Sequence, residues 1–101
     1  MNIIKKLIRV FKKTKELQKP LVPRLGDAYA VTTGTYVGEI FIYVKQIESN
    51  YCFLSIPKMV NREVPLDKFE YAMTHKVIEF LEKIPHNERD MCELQYNKNE
   101  E

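Results

Sequence analysis

The sequence predicts a small α+β protein, an antiparallel β-barrel with an amphipathic helix before it and a helix after it. Short runs of β-branched and aromatic residues alternate with glycine-containing turns in the middle of the chain, which is typical of small antiparallel sheets. Apolar residues at helical spacing occur on either side of these runs. With 101 residues and 45% hydrophobic residues, the chain can form one small core, and disorder of the whole chain is not expected.

Residues 2–18 are predicted to form a basic amphipathic helix, because apolar residues follow one helical face and basic residues follow the other. The apolar stripe consists of Ile3, Ile4, Leu7, Ile8 and Phe11. Pro20 and Pro23 end this pattern and predict a stiff, extended connector. The predicted organisation has four segments: a basic helical arm at 1–19, a hinge at 20–24, a barrel domain with a C-terminal helix at 25–96, and a polar tail at 97–101.

Charge is distributed unevenly along the chain. The first 24 residues carry eight Lys/Arg and one Glu, a formal charge of +7, while the remaining 77 carry eight Lys/Arg and thirteen Asp/Glu, a charge of −5. The basic residues of the first part are Lys5, Lys6, Arg9, Lys12, Lys13, Lys15, Lys19 and Arg24. A basic arm joined to an acidic body can serve two partners of different chemistry.

Four strands are predicted in the barrel domain. Ala28–Thr32 alternates from face to face, Ile40–Ile47 is a long β-branched and aromatic run, and Tyr51–Ile56 is a third such run. A short fourth strand at Arg62–Val64 leads into a helical turn at 65–69.

The last part of the chain has a different period. Residues 74–84 fit a helix, and a strand over 77–81 is the alternative. A further edge strand is predicted from the alternation of Cys92, Leu94 and Tyr96, and it is followed by the polar tail, which we expect to be disordered.

Several short motifs lie in the segment that runs from Gly26 to Phe69. They are Gly26-Asp27, Tyr29-Ala30-Val31, Gly34-x-Tyr36-x-Gly38, the strand Ile40–Val44 and Val64-Pro65-Leu66-Asp67-Lys68-Phe69. In this segment the chain resembles the KOW/Tudor group of small barrels, which have the Src-homology-3-like architecture. The resemblance implies a tight reversal at a loop whose glycines have positive φ, and a helical turn that closes the barrel. Phe41 stands where the KOW pattern has a further glycine, and the loop carries threonines rather than Lys or Arg. The resemblance therefore implies the fold and not an RNA contact by this loop.

The sequence contains no catalytic or metal-binding motif. His75 and His86 lie in different segments, and neither has a Cys, Ser or second His at the spacing of a metal site or a catalytic triad. Carboxylate pairs such as Glu79 and Glu82 are typical of solvated helix faces. We therefore expect a non-enzymatic protein with no metal, no other cofactor and no small-molecule substrate.

The cysteines and the apolar runs bear on the compartment. Cys52 and Cys92 lie 40 positions apart without a Cys-x-x-Cys motif, which is typical of two reduced cysteines in a cytosolic protein. The apolar runs are far shorter than the roughly 20 residues that span a bilayer. An uninterrupted apolar block, as in a secretory signal, does not occur. These observations predict a cytoplasmic protein.

The basic arm has several candidate partners. Its Lys-rich face suits nonspecific attraction to nucleic-acid phosphates better than recognition of bases. Its apolar stripe could enter the headgroup layer of an anionic membrane, pack on its own barrel, or bind a partner protein. These alternatives overlap, because the cations stay exposed even when the stripe is packed.

The barrel domain carries a predicted contact face formed by Tyr36, Tyr43, Lys58 and Arg62. Alternation along the second predicted strand places its aromatic residues on one face and its aliphatic residues on the other, and only one set has to form the core. An exposed Tyr36/Tyr43 pair could stack bases or grip a peptide. The alternative is that the arm or the helix predicted at 74–84 covers this face.

Together these features predict a non-enzymatic binding module or adaptor that is associated with a nucleic-acid or ribonucleoprotein assembly and also binds a protein. One alternative is a small phage or mobile-element protein that inhibits a host enzyme, such as a nucleic-acid-targeting defence nuclease, by binding it directly. A second alternative is a peripheral membrane protein held by the arm.

Overall fold

The computed structural model describes residues 22–101, and the helix predicted at 2–18 lies outside the described residues. Within the described part the chain forms five strands and two helices. In chain order they are β1 (Asp27–Val31), β2 (Ile40–Ile47), β3 (Asn50–Ile56), β4 (Val60–Pro65), α1 (Leu66–Thr74), β5 (Ile78–Lys83) and α2 (His86–Asn99). The predicted α+β class is confirmed.

The five strands form one antiparallel sheet with the spatial order β4-β3-β2-β1-β5. The first four strands follow each other as a meander, and α1 then carries the chain across one face so that β5 pairs with β1. Among the described strands, β4 and β5 have one neighbour each, so the sheet does not close. A closed Src-homology-3-like barrel is therefore not confirmed.

Both faces of the sheet are buried, because each is covered by one helix. The face under α1, here called the α1 face, is mainly aromatic and contains Tyr29, Val31, Phe41, Tyr43, Tyr51, Phe53, Phe69 and Ile78. The opposite face, the α2 face, is mainly aliphatic and contains Ala28, Ile40, Ile42, Val44, Cys52, Leu54, Ile56, Leu81, Ile84, Cys92 and Tyr96. The long run of apolar residues in β2 follows from this two-sided burial.

The helix predicted at 74–84 is wrong, and its alternative, a strand, is correct. α1 ends at Thr74, and Lys76, inside the predicted segment, has a φ of +60°, which no helix continues. Ile78 then lies opposite Val31 and contributes to the α1 face, while Leu81 contributes to the α2 face. Residues three positions apart on a strand face opposite sides of the sheet, and because both sides are buried here, the apolar spacing of three imitates one face of a helix.

The edge strand predicted from Cys92, Leu94 and Tyr96 is also wrong, because these residues belong to α2. Cys92 and Tyr96 are one helical turn apart and both face the sheet, whereas Leu94 is 70% exposed. The helix runs to Asn99 and so includes the start of the segment predicted as a disordered tail. The Asn99 side-chain amide donates to the carbonyl of Met59, the residue before β4, over 3.0 Å. This hydrogen bond fixes the last turn of α2 to the start of β4.

The helical turn predicted at 65–69 is the beginning of the longer helix α1. Phe69 is its fully buried side chain and packs between the rings of Tyr51, at a centroid distance of 5.1 Å, and Tyr29, at 5.3 Å. These edge-to-face contacts hold α1 on the sheet. α1, rather than a helix at 74–84, is the element that covers the aromatic face.

Candidate functional site

The structure brings together three of the four residues of the predicted contact face. The Arg62 guanidinium lies over the Tyr36 ring, 4.1 Å from its centroid. Lys58 and Arg62 both pair with the carboxylate of Glu39. Tyr43 is not part of this group: it is 8% exposed and packs against the rings of Tyr51 and Phe53. Of the two alternatives for this face, the covered one holds for Tyr43, so Tyr36 and Tyr43 do not form an exposed pair.

Glu39, a residue that sequence reasoning missed, organises the group. Its carboxylate is 5% exposed and accepts two hydrogen bonds from the Arg62 guanidinium, over 3.2 and 3.1 Å. The Ser55 hydroxyl donates to the same carboxylate over 2.5 Å, and the Lys58 ammonium lies 3.3 Å away. We call Glu39, Ser55, Lys58 and Arg62 the Glu39 cluster.

The cluster keeps Glu39 ionised. Burial acts to raise the pKa of its carboxyl group, but the hydrogen bonds from Arg62, Ser55 and Lys58 together outweigh burial, so the pKa lies below its usual range. Because the forked guanidinium is paired with this carboxylate on one side and stacked on Tyr36 on the other, Arg62 is held in place. The cluster thus positions Tyr36 rather than offering a free cation.

A signal for Glu39 is present in the sequence. Glu39 directly precedes β2 and lies two and four positions before the buried aromatics Phe41 and Tyr43. Because side chains alternate along a strand, its side chain is expected on the α1 face with them. Ser55 has the same relation to Phe53 in β3. A charged residue that alternation places on the same face as buried aromatics indicates a buried ion pair. The alternation does not identify the residue that pairs with it.

The loop at 32–38 is fixed on both sides. Gly34 and Gly38 have φ values of +93° and +92°, as the resemblance to glycine-loop barrels implied, and the Gly38 N–H donates to the Val31 carbonyl over 3.0 Å. The Thr32 hydroxyl bonds to the carbonyls of Lys76, over 2.5 Å, and Val77, over 3.0 Å. The loop is therefore tied to the connection between α1 and β5, and it presents Tyr36 and Val37 to solvent with 41% and 58% exposure.

A groove of about 350 Å³ lies between this loop and α1. Most of its lining is apolar and its rim carries hydroxyl groups and one charge of each sign. The lining residues are Val31, Thr33, Gly34, Thr35, Tyr36, Phe41, Glu63, Val64, Pro65, Lys68, Ala72, Val77 and Ile78. Tyr36 lines the groove and contacts Arg62 of the Glu39 cluster, so the two features form one candidate site.

Of the basic residues predicted to bind an anionic surface, Arg24 alone falls within residues 22–101, and the other seven lie outside the described residues. Arg24 is exposed, and its backbone N–H donates to the Asp27 carboxylate over 2.9 Å. Asp27 is in turn 3.0 Å from the Lys83 ammonium. This arrangement fixes the start of β1 and leaves the Arg24 side chain at the surface.

The histidines and cysteines of the described part remain separate. His75 stacks on Tyr71 at a centroid distance of 3.9 Å, and His86 pairs with Asp90 over 3.2 Å. Within residues 22–101 no group of three His, Cys, Asp or Glu residues could hold a metal ion. Both cysteines are buried and unpaired, and burial, with the nearby Glu88 carboxylate, raises the pKa of Cys92 to about 11.

No helix in the part of the chain that the structure describes has the length and apolar character needed to cross a bilayer. Comparison with protein-family models, with curated proteins and with solved structures found no match.

Proposed function

We propose that this protein is a non-enzymatic cytoplasmic binding module that joins nucleic acid in a larger assembly to a protein partner. The separation of charge carries the proposal. Residues 1–21 hold seven Lys/Arg and one Glu, a formal charge of +6, whereas residues 22–101 hold nine Lys/Arg and thirteen Asp/Glu, a charge of −4. Phosphates are attracted by the first part and repelled by the second.

The described body is suited to a protein partner. Three of its cations, Lys58, Arg62 and Lys83, are already paired with buried carboxylates and are not free to neutralise phosphates. The groove beside Tyr36 offers an apolar surface with a polar rim, which fits an apolar side chain of a partner. The net negative charge favours a partner with a basic surface.

A nucleic acid is the polyanion that best fits the basic segment. Six of its seven cations are lysines, which act as point charges and suit sequence-tolerant contact with a phosphate backbone. Binding of this kind weakens steeply as salt concentration rises.

The test uses the full chain, fluorescence anisotropy and labelled single- and double-stranded oligonucleotides across a salt series. The variant K5Q/K6Q/K12Q removes three charges from the basic segment. K68Q/K76Q/K98Q is the matched control, because it removes three exposed charges from the body. On duplex DNA, log of the association constant falls as log of the salt concentration rises. We expect the first variant to make this slope shallower by up to about 3, at about 0.9 per charge, and the control to leave the slope unchanged. Absence of binding by the wild type at low salt would overturn the proposal, as would equal losses in the two variants.

The acidic body and its apolar groove also favour a second candidate function. A body of charge −4 with an exposed Tyr36 can bind a basic, nucleic-acid-handling enzyme directly and inhibit it. In that case the protein binds the enzyme and not the free oligonucleotide, and the oligonucleotide series shows no complex with wild-type protein. A protein held on membranes by its basic segment would instead sediment with anionic vesicles.

A further inference from the structure

The outer side of α2 carries an apolar pair that the described residues leave uncovered. Met91 is 62% exposed and Leu94 is 70% exposed, while Cys92 and Tyr96 on the inner side are buried. Met91 and Leu94 are three positions apart and so form one patch on the helix surface. Single exposed apolar residues are common, but two adjacent ones on a helix that already has a buried side call for an explanation.

The chain joins the described body next to the first turn of α2. Gly26 has a φ of +91°, and a Cβ atom placed on it would lie 2.8 Å from Cδ of Arg89 in α2. The Ile84 N–H donates to the Gly26 carbonyl over 2.9 Å, just before α2 begins. Residues 1–21 are therefore tethered within a few residues of the helix that carries the patch.

Length and charge match as well. α2 has 14 residues and is about 21 Å long, and a helix over the predicted residues 2–18 would be about 25 Å long. A segment that leaves the first turn of α2 and runs back along it lies antiparallel to α2, which is the favourable arrangement of two helix dipoles. The patch is bordered by Asp90 and Glu93, and the predicted segment places lysines beside its apolar stripe.

We propose that residues 2–18 dock along the outer side of α2 of the same chain, with the apolar stripe that includes Leu7 and Ile8 on Met91 and Leu94. The lysines then flank the contact and face both the acidic residues of α2 and the solvent. The inference does not rest on the proposed function, because docking uses the apolar stripe and nucleic-acid binding uses the cations.

Hydrogen exchange of the full chain, read by mass spectrometry, tests the proposal. The variant M91S/L94S removes the patch, and Y71S is the matched control, since Tyr71 is 61% exposed but lies on α1, on the other side of the sheet. We expect amides at 3–18 to be protected in the wild type and in Y71S. In M91S/L94S we expect their exchange to speed up at least tenfold, while protection in β2 and β3 stays unchanged.

Three results would overturn the proposal. The first is exchange of the amides at 3–18 at the rate of a free peptide in the wild type. The second is retention of the wild-type protection in M91S/L94S. Protection that rises with protein concentration would show that a second copy covers the patch, and docking within one chain would then be wrong. The oligonucleotide series reads a different property, so failure of one proposal is distinguishable from failure of the other.

Discussion

The two helices hold the two faces of the sheet in different ways. α1 inserts one fully buried side chain, Phe69, among aromatic rings that meet edge to face. α2 inserts two side chains, Cys92 and Tyr96, into a mainly aliphatic face, and side-chain contacts fix both its first and its last turn. α1 adds partly buried contacts from Leu66, Ala72 and Met73, and the Leu66 N–H donates to the Ser49 carbonyl over 3.0 Å. The two helices therefore differ in their central contacts, which are one buried ring in α1 and two buried side chains in α2.

The two sides of the sheet also differ in the surface that they offer to a partner. The groove lies beside α1, so a partner that enters it meets Lys68 and Ala72 of that helix. The outer side of α2 offers a patch on a firmly held support. We infer that the α1 side accommodates a partner, while the α2 side supplies a rigid platform.

The largest expected effect comes from removing the one fully buried side chain of α1. Phe69→Ala should lower the free energy of unfolding by about 3–5 kcal/mol, because a fully buried ring is lost and a cavity remains. Cys92→Ala, on the other face, should cost about 1 kcal/mol, since Tyr96 still holds α2. Urea denaturation followed by circular dichroism measures both changes.

Tyr71→Ala is the control for this pair, because it truncates an exposed ring on the same helix and should change the free energy of unfolding by less than about 0.5 kcal/mol. If Cys92→Ala cost as much as Phe69→Ala, the contrast between one central buried ring in α1 and two buried side chains in α2 would be wrong.

An intermediate effect is expected at the Glu39 cluster. Glu39→Gln leaves the Arg62 charge without its carboxylate and should cost about 2–3 kcal/mol at pH 7. The pKa of the Glu39 carboxyl is depressed in the folded protein, so its contribution is complete above the unfolded value of about 4.3 and is lost as pH falls through the folded value. The difference in urea midpoint between wild type and variant should therefore shrink from pH 7 to pH 3.

Glu70→Gln, at an exposed position of α1, is the matched control and should show no such pH-dependent difference. A wild-type-minus-variant gap that widened toward acid pH would mean that Glu39 is not held ionised by its neighbours.

The smallest effect is expected at the buried hydroxyl of the α1 face. The Tyr29 hydroxyl group is buried and has no hydrogen-bond partner among residues 22–101, and burial raises its pKa. Tyr29→Phe removes this polar group and keeps the ring contacts, so it should leave stability unchanged or raise it by up to about 1 kcal/mol. A loss of more than about 1 kcal/mol in thermal or urea unfolding would show that the hydroxyl is satisfied.

The sequence predicts secondary structure well where the strand pattern is the one clear periodicity of a segment. β2 and β3 were predicted to within one residue, because β-branched and aromatic runs with glycine or proline boundaries have few other structures. β5 was mistaken for a helix because both of its faces are buried, so that Ile78 on one face and Leu81 on the other are three positions apart. α2 was missed because few of its residues face the sheet, so its pattern is mostly polar.

The candidate site was only partly predictable for a related reason. Tyr36, Lys58 and Arg62 were predicted from their residue types, but Glu39 and Arg62 are 23 positions apart and meet only through pairing of β2, β3 and β4. That pairing places Ser55 opposite Phe41 and Arg62 opposite Phe53. Such a meeting depends on register, which no local pattern of one strand contains.

The strand order has a consequence for how the chain is made. β1 to β4 form a meander whose neighbours are close in sequence, so each can pair soon after it is synthesised. β1 receives its second neighbour only when residues 78–83 emerge, after the rest of the sheet and the whole of α1. During translation β1 therefore keeps one open edge until the last strand of the described sheet arrives, although it is an interior strand of the finished sheet.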